Sequence, residues 1–358
     1  MTQFIVKRFI FLIPVLLGML LVTFCIVRLI PGDPCVAMLG EKATPEKCFE
    51  FRERYGLNDN IFVQFGRYIG NMVQGELGTS IRYGRPVIDI IAERLPMTME
   101  LAFGAIVFAS ITGILLGLIS ALHRNSIIDV GTMVIANIGV SMPVFWLGLM
   151  MAYVFALLLK DTPFFIPPSG RLTSGLNVVP LADLWGLQHL TGFPKFFLSL
   201  LSNSVICNSI FSLNWAMLKD ALWHLILPSI AVGTIPLCIT ARMTRSSVLE
   251  ILGLDYIRTA RAKGLIERLV ISRHAMRNAW IPVVTIIGLE TGSLLGGAIL
   301  TETVFSLPGV GTQLVAAIQA RDYPVVQGFT IVVALIFVSV NLLVDLSYAY
   351  LDPRIRLT

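Results

Sequence analysis

The stretch 255–277 reads DYIRTARAKGLIERLVISRHAMR, and it decides how the rest of the chain is arranged. It is basic, it is compatible with a helix, and it lies between two apolar segments. Eight of the 27 Lys and Arg residues fall between Arg242 and Arg277, against three acidic residues. Loops rich in Lys and Arg between membrane spans stay on the cytoplasmic side. The stretch therefore predicts the orientation of the chain, and it is the segment best suited to contact a soluble partner.

The composition indicates an integral membrane protein. Of the 358 residues, 56% are hydrophobic and only 14% are charged, whereas about a quarter of a typical soluble domain is charged. The N-terminus, MTQFIVKRFIFLIP, has a short basic start followed by an apolar run. That run is longer than an ordinary signal core and no small-residue cleavage site follows it, so we predict an uncleaved first helix.

Six stretches are apolar enough to cross a bilayer, which takes about 20 residues. They are 9–28, 101–122, 130–159, 225–241, 278–301 and 325–344. With the N-terminus in the cytoplasm, the inner segments carry 13 basic and five acidic residues, and the outer segments carry 14 basic and 15 acidic ones. This asymmetry agrees with the positive-inside rule. It predicts cytoplasmic termini, outer inserts at 29–100 and 160–222, an inner loop at 242–277, and one all-α membrane domain over residues 1–358.

Residues 196–213, FFLSLLSNSVICNSIFSL, compete for the role of a seventh span. Five Ser and two Asn residues interrupt the apolar run. A crossing here would also place the basic loop 242–277 outside, against the charge rule. We therefore predict a helix at the interface or on the outer face.

The basic loop has the pattern of a short helix with a defined end. Residues 246–264 predict a helix that stops at Gly264, because glycine after a basic last turn is a common helix terminator. A second helical stretch starts at Leu265. The side chains divide between two faces, with Ile257 and Ala260 on one and Arg258 and Arg261 on another. The pattern predicts a rigid knob that docks in a groove of another protein; the alternative is a charged loop that only obeys the charge rule.

An ordered series of motifs resembles the permeases of ATP-binding-cassette (ABC) importers, and within them the dipeptide and oligopeptide family, in particular the B-type subunit of a dipeptide permease. The matching segments are LIPGDP (29–34), GELGTS (75–80), SMPVFW (141–146), RMTRSS (242–247), DYIRTARAKG (255–264), RHAMRNA (273–279), PVVT (282–285), TETVFS (301–306) and RDYPVVQG (321–328). They cover nearly the whole chain. The resemblance implies a type I ABC importer permease fold with six transmembrane helices.

The resemblance also implies a site, partners and a location. The loop would couple the permease to an ATPase through Asp255, Arg258, Thr259, Ala260, Arg261, Lys263 and Gly264. The expected partners are a homologous second permease, two cytoplasmic ATPases, a periplasmic substrate-binding protein and a peptide substrate, with no nucleic acid. ATP and Mg²⁺ would be held by the ATPases, and this chain would bind no cofactor or metal. The expected location is the bacterial cytoplasmic membrane.

Catalytic motifs are missing from the sequence. There is no G-x-x-x-x-G-K-[ST] loop to hold ATP phosphates and no H-E-x-x-H or G-x-S-x-G motif. The four histidines are scattered, and the cysteines and histidines lack zinc-ligand spacing. We therefore predict a transport component and no enzyme.

Glu290 is the polar residue in a predicted span that best fits a transport pathway. Charged groups at that depth usually face a bundle interior or a water-filled route. The competing interpretation is a hydrogen-bonded carboxyl that joins helices. Asn137 and Ser141 are weaker candidates of the same kind, for which helix–helix hydrogen bonding is the more natural reading.

Cys35 and Cys48 both fall in the outer insert, where conditions favour oxidation. The sequence leaves three arrangements open: a Cys35–Cys48 disulfide, two reduced thiols, or a bridge from one of them to Cys207.

Three other functions compete with peptide import. Related permeases carry glutathione, nickel chelates or antimicrobial peptides. A self-contained ion-coupled carrier would need its own coupling acids, for which Glu290 and Asp345 are the candidates. A membrane enzyme is disfavoured by the absent catalytic motifs.

Overall fold

The computed structural model describes residues 2–29, 32–295 and 299–351. Within these ranges the chain is helical, and extended pairing is limited to one bridge between Thr79 and Pro86. The first part contains α1 (Thr2–Leu29), α2 (Pro34–Leu39), a 3₁₀ turn (Gly40–Lys42), α3 (Pro45–Arg54), α4 (Ile61–Val73) and α5 (Val87–Leu122). The middle contains α6 (Ile127–Ser141), α7 (Val144–Ala152), a π-helical turn (Tyr153–Leu158), α8 (Leu181–Leu184), α9 (Gly192–Asn203), α10 (Val205–Phe211) and α11 (Trp215–Leu252). The last part contains α12 (Asp255–Ala262), α13 (Glu267–Leu269), a π-helical turn (Val270–Ala275), α14 (Met276–Leu295), α15 (Ile299–Val304), α16 (Val310–Gln319) and α17 (Tyr323–Leu351).

Three helices of the described chain are long and apolar enough to cross a membrane: Val87–Leu122, Trp215–Leu252 and Tyr323–Val344. A fourth span is formed if the bent pair α6 and α7 counts as one. The all-α membrane class with several spans is therefore confirmed. The number six stays a prediction, because α1 contributes only the shorter apolar stretch Ile13–Ile26 and the predicted span 278–301 crosses residues 296–298, which lie outside the described residues.

Two predicted spans are parts of much longer helices. The span expected at 101–122 belongs to α5, which begins at Val87, and the span expected at 225–241 belongs to α11. Hydropathy alone marks the apolar part of a helix, whereas the backbone hydrogen bonds continue into more polar residues. The membrane helices therefore extend into the regions predicted as the insert 29–100 and the loop 242–277.

The stretch predicted as a span at 130–159 is divided in the structure, because the chain bends there by 102° between α6 and α7. Met142 is extended (ψ 137°) and Pro143 precedes the first residue of α7. Proline removes a backbone donor and disfavours a helical conformation in the residue before it. The Ser141–Pro143 segment therefore ends one helix and starts another.

The helices α5 and α11 form the central pair of the bundle. Their contact is close because glycines face the partner backbone: a Cβ on Gly117 would lie 2.4 Å from the carbonyl oxygen of Ala241, and one on Gly233 would lie 2.8 Å from that of Ala105. Small residues permit this approach, which is the usual device for packing helices in lipid. Around the pair, α6, α7 and α14 pack against α11, while α17 packs against α14 and α1.

The competing seventh span, 196–213, is divided at Ser204 into α9 and α10. Each piece is too short to cross a bilayer. Phe196 and Leu200 pack against the apolar cluster formed by the start of α5 and the start of α17. This stretch therefore lies against one end of the bundle.

The loop 79–86 is folded onto the same end of the bundle. Asp322 at the start of α17 accepts hydrogen bonds from the backbone N–H groups of Ile81 and Arg82, both at 3.1 Å, and from the Ser80 hydroxyl. Asp322 is 1% exposed. This buried carboxylate fastens the 79–86 loop to the C-terminal helix.

Candidate functional site

The predicted coupling segment is a separate short helix at the end of α11. The long helix ends at Leu252, and α12 runs from Asp255 to Ala262. Gly264 has φ +78°, a left-handed conformation that glycine adopts without strain. The helix stop expected at Gly264 is thus formed, while the predicted helix 246–264 is divided at 253–254.

An apolar face anchors α12 to the rest of the chain. Ile257 is fully buried and Ala260 is 7% exposed, and both pack against Val270 and Ala275 of the following π-helical turn. Ile251 and Leu252, at the end of α11, border the same cluster. A displacement of α12 is therefore passed to both α11 and the segment that leads into α14. Ala260 belongs to this anchor and does not face outward.

Polar contacts close the loop on itself. Arg261 donates two hydrogen bonds to the Glu267 carboxylate, from Nε at 3.0 Å and from Nη2 at 2.6 Å. These bonds hold the pKa of Glu267 below its usual value and raise the pKa of Arg261. Asn278, at the start of α14, donates to the Tyr256 hydroxyl at 2.8 Å. The loop is therefore tied both across Gly264 and to the next long helix.

The outward face of α12 is polar and available. The side chains of Asp255 and Arg258 are 95% and 74% exposed. Thr259, Arg261, Lys263 and Gly264 are also exposed. Since α12 is buried on one face and charged on the other, it can present a basic surface to a partner without losing its anchor.

A buried ion pair that sequence reasoning did not assign lies close to this loop along the chain. Arg245 of α11 donates two bonds of 2.9 Å each to Asp129 at the start of α6. Asp129 also accepts hydrogen bonds from the Ser120 hydroxyl and from the Asn125 backbone. The pair fastens α6 to α11 at the point where the chain leaves the bundle for the loop.

Glu290 lies in α14, half-buried, and has no hydrogen-bond partner among the described residues. Gly288 and Gly292, two residues before and two residues after Glu290, face Val344 and Phe337 of α17. Residues two positions from a contact face point to the opposite side of a helix. Glu290 therefore points away from α17, and nothing in the described chain uses it to join two helices.

Asn137 and Ser141 take different roles. Asn137 accepts a hydrogen bond from the Cys238 thiol at 3.1 Å, which links α6 to α11. Ser141 donates to the backbone carbonyl of Asn137 in its own helix at 3.1 Å. No hydrogen bond of the described chain connects either residue with Glu290, so the three predicted pathway residues do not form one cluster.

Glu302 is, with Asp129 and Asp322, a buried acid that the sequence analysis did not assign. It is fully buried and accepts hydrogen bonds from the Thr98 hydroxyl at 2.6 Å and from the Thr312 backbone at 3.0 Å. Thr98 in turn accepts a bond from Val310 N, at the start of α16. Glu302 therefore joins α5, α15 and α16. The sequence signal that could have identified Glu302 is its position in the TETVFS motif (301–306).

The structure joins Cys35 and Cys48 in a disulfide between α2 and α3, with their Cα atoms 5.4 Å apart. Cys207 is a free thiol. Of the three arrangements that the sequence left open, the first is the one formed. The described residues contain no group of three or more His, Cys, Asp or Glu placed to hold a metal ion.

The structure combines a bundle of long apolar helices with a basic helix that is anchored on a connecting loop. This is the architecture of a polytopic membrane permease. The family model described as "Binding-protein-dependent transport system inner membrane component" matches residues 113–357, and its N-terminal companion model matches residues 1–102. The chain belongs to this family, which comprises the permeases of ABC importers, and it is a multi-pass inner-membrane protein.

Full-length relatives lie within this family. The dipeptide transport system permease protein DppB of Alkalihalophilus pseudofirmus is 47% identical over 99% of this chain and 100% of its own length. The protein of the same name in Escherichia coli K12 is 44% identical over 99% of both chains. The probable D,D-dipeptide transport system permease protein DdpB of that strain is 42% identical over 96% of this chain and 94% of its own.

Proposed function

We propose that this chain is the membrane permease subunit of an ATP-driven importer that carries dipeptides or short peptides from the periplasm to the cytoplasm. The observation that carries the proposal is similarity over the whole chain to relatives named as dipeptide permeases. The resemblance of nine ordered motifs had suggested the same function from the sequence.

The importer would contain several further chains. A homologous second permease pairs with this one in the membrane, two cytoplasmic ATPases bind below, and a periplasmic binding protein delivers the peptide. ATP and Mg²⁺ are held and ATP is hydrolysed on the ATPase subunits, and this chain binds neither. The family to which the chain belongs supports this composition.

In this proposal α12 is the coupling helix. Asp255, Arg258, Thr259, Arg261 and Lys263 face a groove of the ATPase, and Gly264 sets the angle at which the helix ends. When the ATPases close, they push on this face. Ile257 and Ala260 transmit the displacement to α11 and α14, because they are packed against the end of α11 and the π-helical turn that leads into α14. The motion rocks the spans between inward-open and outward-open states.

The orientation follows from the charge distribution. The loop 242–277 and both termini are cytoplasmic, and the inserts 29–100 and 160–222 are periplasmic. The Cys35–Cys48 disulfide supports an oxidising outer side for the first insert. Glu290 would border the peptide route, a role supported by its half-buried position and by the lack of a partner in the described chain.

A second candidate substrate has support from one relative. The D,D-dipeptide permease is nearly as similar to this chain as the dipeptide permeases are. Glutathione, nickel chelates and antimicrobial peptides remain alternatives within the same family, whereas an ion-coupled carrier would leave the anchored basic helix without a role.

The test is purification of the complex from its native membrane through a tag on this chain, followed by mass spectrometry of the partner chains. The proposal expects a second permease, ATPase chains and a periplasmic binding protein with bound peptide. Recovery of this chain alone, with peptide uptake by this chain alone in liposomes, would contradict it.

A further inference from the structure

A small cavity of about 160 Å³ lies between four segments of the chain. The end of α1, the helix α4, the 76–81 stretch and the start of α17 line it, together with the turn 55–57 that precedes α4. Its lining includes Arg28, Tyr68 and Gln327, each from a different helix. It does not belong to the α12 loop or to the surroundings of Glu290.

Arg28 brings a positive charge that no acid in the described chain neutralises. Its guanidinium donates to the Gln64 side-chain oxygen at 2.7 and 3.2 Å and to the Phe24 carbonyl at 3.3 Å, and both acceptors are neutral. It also lies over the Phe24 ring, 3.4 Å from its centroid. A guanidinium has five N–H donors, so two remain for another acceptor. Glu76, which also lines the cavity, is exposed.

Two further donors in the cavity lining have no partner. The side-chain amide nitrogen of Gln327 and the hydroxyl of Tyr68 are buried without a hydrogen bond. Gln327 is only 6% exposed. Burial raises the pKa of Tyr68 to about 12, so its hydroxyl keeps its proton and can donate. Buried donors without an acceptor are costly and call for an explanation.

A cationic fork and two neutral donors match a carboxylate, which accepts two parallel bonds from a guanidinium. The cavity volume fits a carboxyl group on a short side chain. The site is built from α1, the 29–100 insert and the start of α17, and its lining contains no residue of the α5–α11 pair. A group held there therefore comes from a protein on the face of the insert rather than from cargo inside the bundle.

We propose that this cavity receives an aspartate or glutamate side chain of the binding protein when that protein docks on the periplasmic face. The proposal rests on the function proposed above, because it needs a delivery protein. An acidic side chain inserted here supplies the acceptor that Arg28, Tyr68 and Gln327 lack. The pocket would fix the register of docking rather than take part in ATP coupling.

The test measures the affinity of the co-purified binding protein for the complete transporter in nanodiscs of phosphatidylcholine, a lipid without net negative charge. Gln327→Glu places a carboxylate in the cavity beside Arg28 and so fills the site from within. The binding protein should then bind roughly tenfold or more weakly. The thermal midpoint of the complex should not fall, since the new carboxylate pairs with Arg28. Tyr68→Phe, which removes only the hydroxyl, should weaken docking less.

Arg54→Gln is the matched control for charge. Arg54 is exposed on α3, outside the cavity lining, and its loss should change docking by no more than about twofold. Unchanged docking in Gln327→Glu, or an equal loss in Arg54→Gln, overturns the proposal. Normal docking with weaker peptide binding in Gln327→Glu also overturns it and assigns the pocket to cargo. Failure of the unmodified transporter to bind any delivery protein would instead overturn the proposed function itself.

Discussion

Glu290 is an acidic residue within the apolar helix α14. A charge at that depth costs at least about 2.5 kcal/mol, so it persists where it faces water or a polar partner. The described chain offers it no hydrogen-bond partner, and the close-packed glycines of α14 lie on the other side of the helix. The water-filled route is therefore the role we test.

Glu290→Leu should assemble with its partners and transport poorly, because it removes the polar group from the route while leaving the α17 contact intact. Glu290→Gln should keep most activity if the residue acts by hydrogen bonding, and lose it if the charge is needed. Uptake by purified, reconstituted complexes is the measurement. Transport at the unmodified rate in Glu290→Leu would discard the pathway role, and loss of assembly would favour a helix-joining one.

Among the helices, the proposed coupling helix α12 ends at a backbone conformation that one glycine, Gly264, supplies. Gly264→Leu should uncouple ATP hydrolysis from uptake, because a branched side chain at φ +78° is strained and turns the end of α12. A Cβ would meet no atom within 4 Å, so folding of the spans should survive. ATPase and uptake rates of the same preparation measure the effect.

Gly186→Leu provides the comparison for that variant. Gly186 has φ +66°, also has open space around its Cβ position, and lies in the 160–222 insert. The same strain placed there should leave the ratio of uptake to ATP hydrolysis unchanged. Equal ratios in both variants would refute a coupling role for α12.

Replacing glycine by alanine should have opposite effects at Gly117, which lies in the α5–α11 contact, and at Gly131, which has open space around it. Gly117→Ala puts a methyl group 2.4 Å from a backbone carbonyl of α11, and should destabilise the complex by roughly 1–3 kcal/mol. Gly131→Ala meets nothing within 4 Å in α6 and should be neutral or stabilising by roughly 0.5–1 kcal/mol. Thermal unfolding in one detergent compares them; a lower midpoint for Gly131→Ala than for Gly117→Ala would contradict this packing.

The sequence was informative about elements because periodicity and helix stops are local signals. Hydropathy located the apolar parts of α5, α11 and α17, and a basic last turn before glycine located the end of α12. The sequence could not identify contacts between residues that are far apart along the chain. Arg245 pairs with Asp129 over 116 positions, and Ser80 with Asp322 over 242. In the sequence, Asp129 and Asp322 enter only the count of acidic residues. No local pattern indicates which distant side chain will bind either carboxylate.

The bend in the third predicted span shows the same limit. Pro143 indicates that the helix is kinked, but the local sequence does not predict the observed angle of 102°. The angle is set by what α7 meets, and Gly148 of α7 lies against Val304, the last residue of α15, and Phe305, which follows it. Tertiary packing therefore decides the direction of the chain after the local break.

Across the whole chain, the proposed orientation places the basic loop and the first insert in different compartments. The basic loop carries the anchored helix, and the cavity with Arg28 lies among the segments of the first insert. Lys263→Cys in a background without other cysteines should be labelled by an impermeant thiol reagent only after the membrane is opened. Labelling in intact spheroplasts would overturn the orientation.

The most direct test of an ATP-driven peptide permease is uptake by the complete transporter in liposomes with a labelled dipeptide, the binding protein and a protonophore. The account predicts that uptake requires enclosed ATP and the ATPase chains, and that it persists after the proton gradient is collapsed. Uptake that stops with the protonophore, or that this chain supports alone without ATP, would contradict it.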